Sequence, residues 1–199
     1  MCVIAVCLYG AIAAALYIFQ ERLIFLGEPL DKNFKFSFEN SEFIGLVNAP
    51  ENGVHLEASM SATQNSAAAN GTAAIKFQEI NIPFEGGSIN GLKFSAAEPK
   101  GAILFFHGNF GDVSGWGAYG ADFAALGYDF YIFDYPGYGK SDGKISSQQQ
   151  LLASADAMSR YVLAQHPPRK LAMIGYSIGS GIAARQAAKW DAARLRAIF

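Results

Sequence analysis

The stretch Leu171-Ala172-Met173-Ile174-Gly175-Tyr176-Ser177-Ile178-Gly179 decides the fold. Leu171–Ile174 is a short apolar run of the kind a fully buried strand requires, and Ile178–Lys189 carries a helical pattern. Between them stands Gly-x-Ser-x-Gly. A serine at a strand-to-helix turn with glycines two residues away on each side is the signature of a nucleophile elbow. The turn is strained, and side chains at the glycine positions would collide with the neighbouring strand and helix. The following helix N-terminus favours developing negative charge. The same pattern recurs at Gly139-Lys140-Ser141-Asp142-Gly143, and with 21 glycines in 199 residues it discriminates poorly by itself. Context separates the two matches: Ser141 sits in a polar turn followed by Lys144 and a Gln run, with no apolar strand before it.

Working outward, strand-like and helix-like segments alternate. Phe77, Ile80, Ile82 and Phe84 predict a strand, Glu85-Gly86-Gly87-Ser88 a turn, and Ile89–Phe94 the returning strand of a hairpin. Ala102–Phe106 and Tyr128–Phe133 read as strands, Trp116–Leu126 as a helix, and Leu195–Phe199 as a further strand. Ser146–Gln165 places Leu151, Leu152, Ala155, Met158, Tyr161 and Val162 on one helical face and ends at Pro167-Pro168. Strands separated by helices of this length predict an α/β fold with a mainly parallel sheet, whose ligand site lies at the carboxyl ends of the strands. The residues after Phe106, Phe133 and Ile174 are therefore where function is expected. They are His107-Gly108-Asn109-Phe110-Gly111, Asp134-Tyr135-Pro136-Gly137-Tyr138-Gly139, and the elbow itself. In an acyl-transfer enzyme the loop after Phe106 supplies a backbone N–H for the oxyanion, and Gly108 permits its sharp turn.

The amino-terminal end is different. Cys2–Phe19 is an 18-residue run without charge. As a helix it is about 27 Å long, close to the ~30 Å hydrocarbon core of a bilayer. Tyr17 and Phe19 sit at its end, where interfacial aromatics are common, and Gln20-Glu21-Arg22 stop it. We read residues 1–22 as a transmembrane anchor, with a signal peptide and a buried helix as the competing readings. Arg22, Lys32 and Lys35 flank only its carboxyl side, which favours a cytoplasmic body without settling the side of the membrane. Residues 23–76 read as a membrane-proximal segment and flexible linker, since Glu57–Ala74 is rich in Ala, Ser, Asn, Thr and Gly. The sequon Asn70-Gly71-Thr72 within it is read as a chance match. Residues 77–199 form the third segment.

Composition excludes several classes. The chain is 51% hydrophobic and 16% charged, with 15 basic and 17 acidic residues, so no basic field exists to hold a phosphate backbone and no nucleic-acid partner is expected. Two cysteines, Cys2 and Cys7, exclude a disulfide framework; both read as small apolar residues of the anchor. No His/Cys cluster has metal-ligand spacing, and no cofactor is expected.

Taken together and in order, strand-His-Gly-Asn, strand-Asp-Tyr-Pro-Gly-Tyr-Gly and strand-Gly-Tyr-Ser-Ile-Gly resemble the α/β-hydrolase superfamily. More narrowly they are similar to its membrane-anchored Bem46-like and serine aminopeptidase-like group. Gln20-Glu21-Arg22-Leu23-Ile24-Phe25, just past an anchor, fits that group too. The resemblance covers Phe77–Phe199 and implies an α/β-hydrolase fold acting on a small-molecule or lipid-like acyl substrate. It implies Ser177 as nucleophile and the N–H groups of Asn109 and Ile178 as the oxyanion hole, with Phe110 as a substitute for Asn109. His107, Gly108, Gly175 and Gly179 would be structural members of the motifs.

The sequence departs from that family in one respect. The family's order is nucleophile, acid, histidine, yet no histidine follows Ser177, and Asp191 is the only acid after it. His55, His107 and His166 all lie upstream. His107 reads as a structural residue of the loop, His166 as a surface turn residue, Asp134 as turn-forming and Asp191 as a helix-end residue. The triad acid and histidine are thus unassigned. The expectation is a hydrolase domain incomplete at its carboxyl end and inactive as it stands, with a non-catalytic membrane-bound binding protein as the alternative. A dinucleotide site at Gly175-x-x-x-Gly179-x-Gly181 is disfavoured because such glycines follow the first strand of that fold and no Tyr-x-x-x-Lys follows. A P-loop ending in Gly139-Lys140-Ser141 fails because Asp134 occupies its first glycine position.

Overall fold

The computed structural model describes residues 2–49, 74–167, 170–190 and 196–198. The expectations for the linker, the sequon, His55 and Asp191 lie outside these residues. The elements in chain order are α1 (Cys2–Ile24), β1 (Ser41–Asn48), β2 (Ile75–Phe84), β3 (Gly87–Ser95), β4 (Gly101–Phe106), α2 (Val113–Trp116), α3 (Gly120–Ala125), β5 (Tyr128–Phe133), α4 (Gln148–Gln165), β6 (Leu171–Gly175), α5 (Ile178–Lys189) and β7 (Arg196–Ile198).

The seven strands form one sheet in the order β1-β2-β3-β5-β4-β6-β7. Only β3 runs against the others: it pairs antiparallel with β2 and β5, and every other adjacent pair is parallel. The chain leaves central β4 for β5 on one side, then returns past β4 to β6 on the other. That reversal makes the carboxyl end of β4 the topological switch point, where open α/β sheets place ligands.

Period-two alternation sorts the strand residues onto two faces. Leu104, Phe106, Tyr131 and Phe133 face α4 and α5, joining Leu151, Ala155, Met158, Val162, Ile182 and Ala183 in one core. Ile103, Phe105, Phe130 and Ile132 face the opposite side, with Phe36, Phe77, Leu92, Phe94 and Val113. Strands buried on both faces explain the near-continuous apolar runs in β4 and β5. α4 begins at Ser147, whose hydroxyl accepts from the Gln150 N–H, a side-chain cap.

Three features differ from expectation. The helix expected over Trp116–Leu126 is broken: α2 starts at Val113, capped by Asp112, and a 3₁₀ turn at Gly117–Tyr119 precedes α3. The glycines here serve close packing. A Cβ on Gly117 would come 2.6 Å from the Phe38 ring, and one on Gly120 2.2 Å from the Phe94 ring. Second, β1 belongs to the sheet, so the sheet begins well before Phe77. The strand is an edge, with a register shift between Phe43 and Leu46 around Gly45 at φ 141°. The bulge breaks the alternation that would mark it in sequence. Third, residues 24–30 run across the loops at the carboxyl edge of the sheet. Leu26 bridges Phe110 and Pro29 bridges Gly139.

α1 is apolar over Val3–Gln20, none of it buried, and is long enough to cross a membrane; a signal sequence has the same length and composition.

Candidate active site

β6 ends at Gly175 and α5 starts at Ile178, leaving Tyr176 and Ser177 to make the whole turn. Ser177 adopts φ 54°, ψ −119°, a left-handed conformation in which a non-glycine residue carries roughly 1–3 kcal/mol of strain. The strain is held by packing. A Cβ on Gly175 would lie 2.2 Å from the Gly179 carbonyl oxygen, and one on Gly179 would lie 2.0 Å from that of Phe106. The Tyr176 N–H donates to the Phe106 carbonyl at 3.0 Å, tying the elbow to the end of β4. Ser177 is exposed, and its hydroxyl has no hydrogen-bond partner among the described residues.

Beside it runs the loop after β4. A Cβ on Gly108 would be 3.7 Å from the Ser177 Cβ, so loop and elbow are neighbours. Four successive carbonyls of this loop are held by side-chain donors. Tyr135 Oη donates to His107 O at 2.9 Å, His107 Nδ1 to Gly108 O at 2.7 Å, Tyr138 Oη to Asn109 O at 3.1 Å, and Trp116 Nε1 to Phe110 O at 2.9 Å. A peptide unit is planar, so fixing a carbonyl fixes the N–H of the next residue. The His107–Gly108 bond therefore sets the plane that carries the Asn109 N–H. Burial pushes the Tyr138 phenol up to about 12, which keeps it a donor.

His107 is fully buried, its ring centroid 4.3 Å from that of Tyr135 with the planes tilted by 40°. Burial pushes its imidazole down to about 4, with the Gly108 hydrogen bond and the Asp112 charge acting the other way. The ring is neutral, with its proton on Nδ1, and Nε2 lies 3.7 Å from Asp134 Oδ1. Asp134 is also fully buried. Its Oδ1 accepts from the Val113 N–H at 2.9 Å, its N–H donates to Asn90 O, and its carbonyl accepts from Ser141 Oγ. Burial, helped by the Asp112 charge, pushes its carboxyl well above the ordinary range.

The second Gly-x-Ser-x-Gly match is structural. Ser141 is buried, accepts from the Asn90 N–H at 2.9 Å and donates to Asp134. Neighbouring Lys140 is buried in an ion pair with Glu79 at 2.9 Å and sits over the Phe36 ring. His166 departs from the surface-turn expectation. It is half-buried, with Nε2 2.9 Å from Tyr131 Oη and 3.5 Å from Asp129 Oδ2, and burial lowers its pKa. Asp129 lies near the amino end of β5, at the opposite end of the strands from Ser177. The sequence places Tyr135 and Tyr138 in the loop after β5 without a role and gives no sign of a role for Trp116; their donation to the carbonyls of the neighbouring loop appears only in the structure. Among the described residues, no group of three or more His, Cys, Asp or Glu could hold a metal.

Residues 97–199, from just before β4 onward, match the family described as serine aminopeptidase, S33. The chain belongs to this family of α/β hydrolases. It is similar to an uncharacterized protein of Mycobacterium tuberculosis strain H37Rv, 34% identical over 84 residues, 41% of this chain and 30% of that protein. The structure is similar to an α/β hydrolase from Vibrio vulnificus, with TM-score 0.51, 25% identity, and 61% of this chain and 42% of that one covered. A thermostable carboxyl esterase from Bacillus coagulans in complex with glycerol shares the fold, with TM-score 0.51, 24% identity, and coverage of 60% and 42%. The chain spans less than a third of the curated relatives it matches and under half of these hydrolase structures.

Proposed function

We propose that this hydrolase cleaves an ester, thioester or peptide bond by acyl transfer through Ser177. The strained φ of Ser177, forced between two glycines that tolerate no Cβ, is the observation that carries the reading. In the reaction Ser177 Oγ attacks the substrate carbonyl carbon and gives its proton to a base. The carbonyl oxygen becomes an oxyanion that accepts from the Asn109 and Ile178 N–H groups. The C–O, C–S or C–N bond breaks as the leaving group takes up the proton, and water then releases the acyl group from Ser177. His107 and Gly108 serve by holding the Asn109 peptide plane.

His107 is not the base: it is buried, and its Nδ1 is spent on Gly108. We assign the acid and the base to the portion of the relatives' fold that these residues do not span, so residues 1–199 alone should be poor catalysts. In the same reading residues 1–22 anchor the protein to a membrane, and the body carrying the site follows from the 23–76 segment.

The test is fluorophosphonate labelling with mapping of the modified residue. In a chain extended to its natural stop, Ser177 is expected to be labelled and Ser177→Ala to abolish the signal. In residues 1–199 labelling is expected to be slower by roughly 10²–10⁴-fold, the usual contribution of a general base. Labelling that survives Ser177→Ala, or that maps to Ser141, overturns the assignment.

A further inference from the structure

The apolar helix and the candidate site are joined directly. Asn109 Nδ2 donates to the carbonyl of Ile24, the last residue of α1, at 2.9 Å. Leu26 then bridges Phe110, Gly139 N–H donates to Glu28 O, and Leu30 N–H donates to Gly139 O at 2.7 Å. Gly27 lets this strap lie on the Tyr138 ring, since a Cβ there would come 2.7 Å from it. Phe25 packs into the main core. The strap is therefore not a free tether: it fixes the loop beside Ser177 to the end of α1.

That end has a defined depth. The apolar window closes at Gln20, four residues before Ile24. Four helical residues rise about 6 Å, and the interfacial layer on each side of a bilayer is roughly 5–7 Å thick. The loop at Asn109 and Phe110 thus falls at headgroup level when α1 spans. The surface around Ser177 suits that level. Leu26, Phe110, Tyr119 and Tyr176 are 46%, 66%, 50% and 57% exposed. Trp116 connects them, 5.0 Å from Tyr176 and 6.2 Å from Tyr119, with its Nε1 on Phe110 O. Aromatic side chains with one apolar and one polar end belong at the membrane interface.

The geometry points to a docking surface for a phospholipid bilayer formed by Leu26, Phe110, Trp116, Tyr119 and Tyr176. It sets Ser177 at the headgroup layer, facing an acyl ester or thioester whose chain lies in the membrane. The inference rests on the anchor and nucleophile readings and narrows their substrate to a membrane-resident acyl compound.

The test uses residues 1–199 with Cys2 and Cys7 changed to Ser, reconstituted into phosphatidylcholine vesicles that carry a lipid spin-labelled near the headgroup. An environment-sensitive fluorophore is placed through Phe110→Cys, or through Glu98→Cys at the opposite end of the strands. The floated protein is expected to show quenching at position 110 roughly threefold or more above that at 98, as one probe lies in the interface and the other in water. Equal quenching at the two positions in floated protein overturns the docking surface while leaving the anchor standing. Failure to float overturns the anchor and the docking surface together. Fluorophosphonate labelling in the longer chain reads the nucleophile separately, so quenching at 110 without labelling of Ser177 supports the docking and removes the hydrolytic role.

Discussion

Burial pushes the two members of the buried His107–Asp134 pair in opposite directions. In the folded state it favours the neutral imidazole and the protonated carboxyl. Unfolded, between the ordinary carboxylate and imidazole ranges, the histidine is protonated and the aspartate is not. One proton is held either way, so the pair gives stability no net pH slope wherever Asp134 stays protonated. Separately, the two slopes have opposite signs. His107, lowered from 6.5 to about 4, contributes stability fully present above pH 6.5 and lost as pH falls toward 4. Asp134, raised, contributes stability present below its unfolded value and lost as pH rises through its folded one. Asp134→Asn keeps the acceptor for the Val113 N–H and removes the compensating proton. Its urea stability should fall more steeply from pH 6.5 toward 4 than that of the unsubstituted chain. Parallel pH profiles for the two proteins would refute the pairing. Neither role is legible from sequence, because a histidine and an aspartate 27 positions apart declare no contact until β4 and β5 pair. The tight turn at Ser177 was legible because its close backbone approaches require glycine two residues to either side, and Ser141 shows that the pattern needs its strand to mean anything.

At the scale of elements, the elbow and α5 share glycines with opposite requirements. Gly179 has no room for a Cβ, whereas Gly181, two residues on in the same helix, is exposed with nothing within 4 Å of that position. Gly179→Ala should cost about 3 kcal/mol or more through overpacking against Phe106, and Ser177 reactivity should fall with it. Gly181→Ala should stabilise by about 0.5–1 kcal/mol by restricting the unfolded chain and favouring the helix. Thermal denaturation of the two variants checks the contrast, and equal effects would remove the close-packing argument for the elbow. The strands β4, β5 and β6 were legible as short apolar runs, and β2 and β3 as a hairpin around the Glu85-Gly86-Gly87-Ser88 turn. β1 was not, since the bulge at Gly45 shifts its phase halfway. The strap at residues 24–30 carries no period at all; its conformation comes from backbone bonds to loops more than 80 residues away.

On the scale of the molecule, the sheet order sets its switch point between β4 and its two neighbours, and the motif loops that meet there were expected from strand ends alone. What sequence did not reveal is how the apolar helix meets those loops. A site hung at fixed depth from a membrane helix searches an area, not a volume. Its working concentration of substrate is a mole fraction in the bilayer. In any longer chain that hydrolyses a membrane-resident ester from this site, diluting the ester with inert phosphatidylcholine should lower the turnover rate even when the bulk amount of ester is unchanged. Adding water to the same vesicles should leave the rate per enzyme unaltered. A rate that follows bulk concentration, indifferent to lipid dilution, would show that the strap between Ile24 and Gly139 confers no such two-dimensional kinetics.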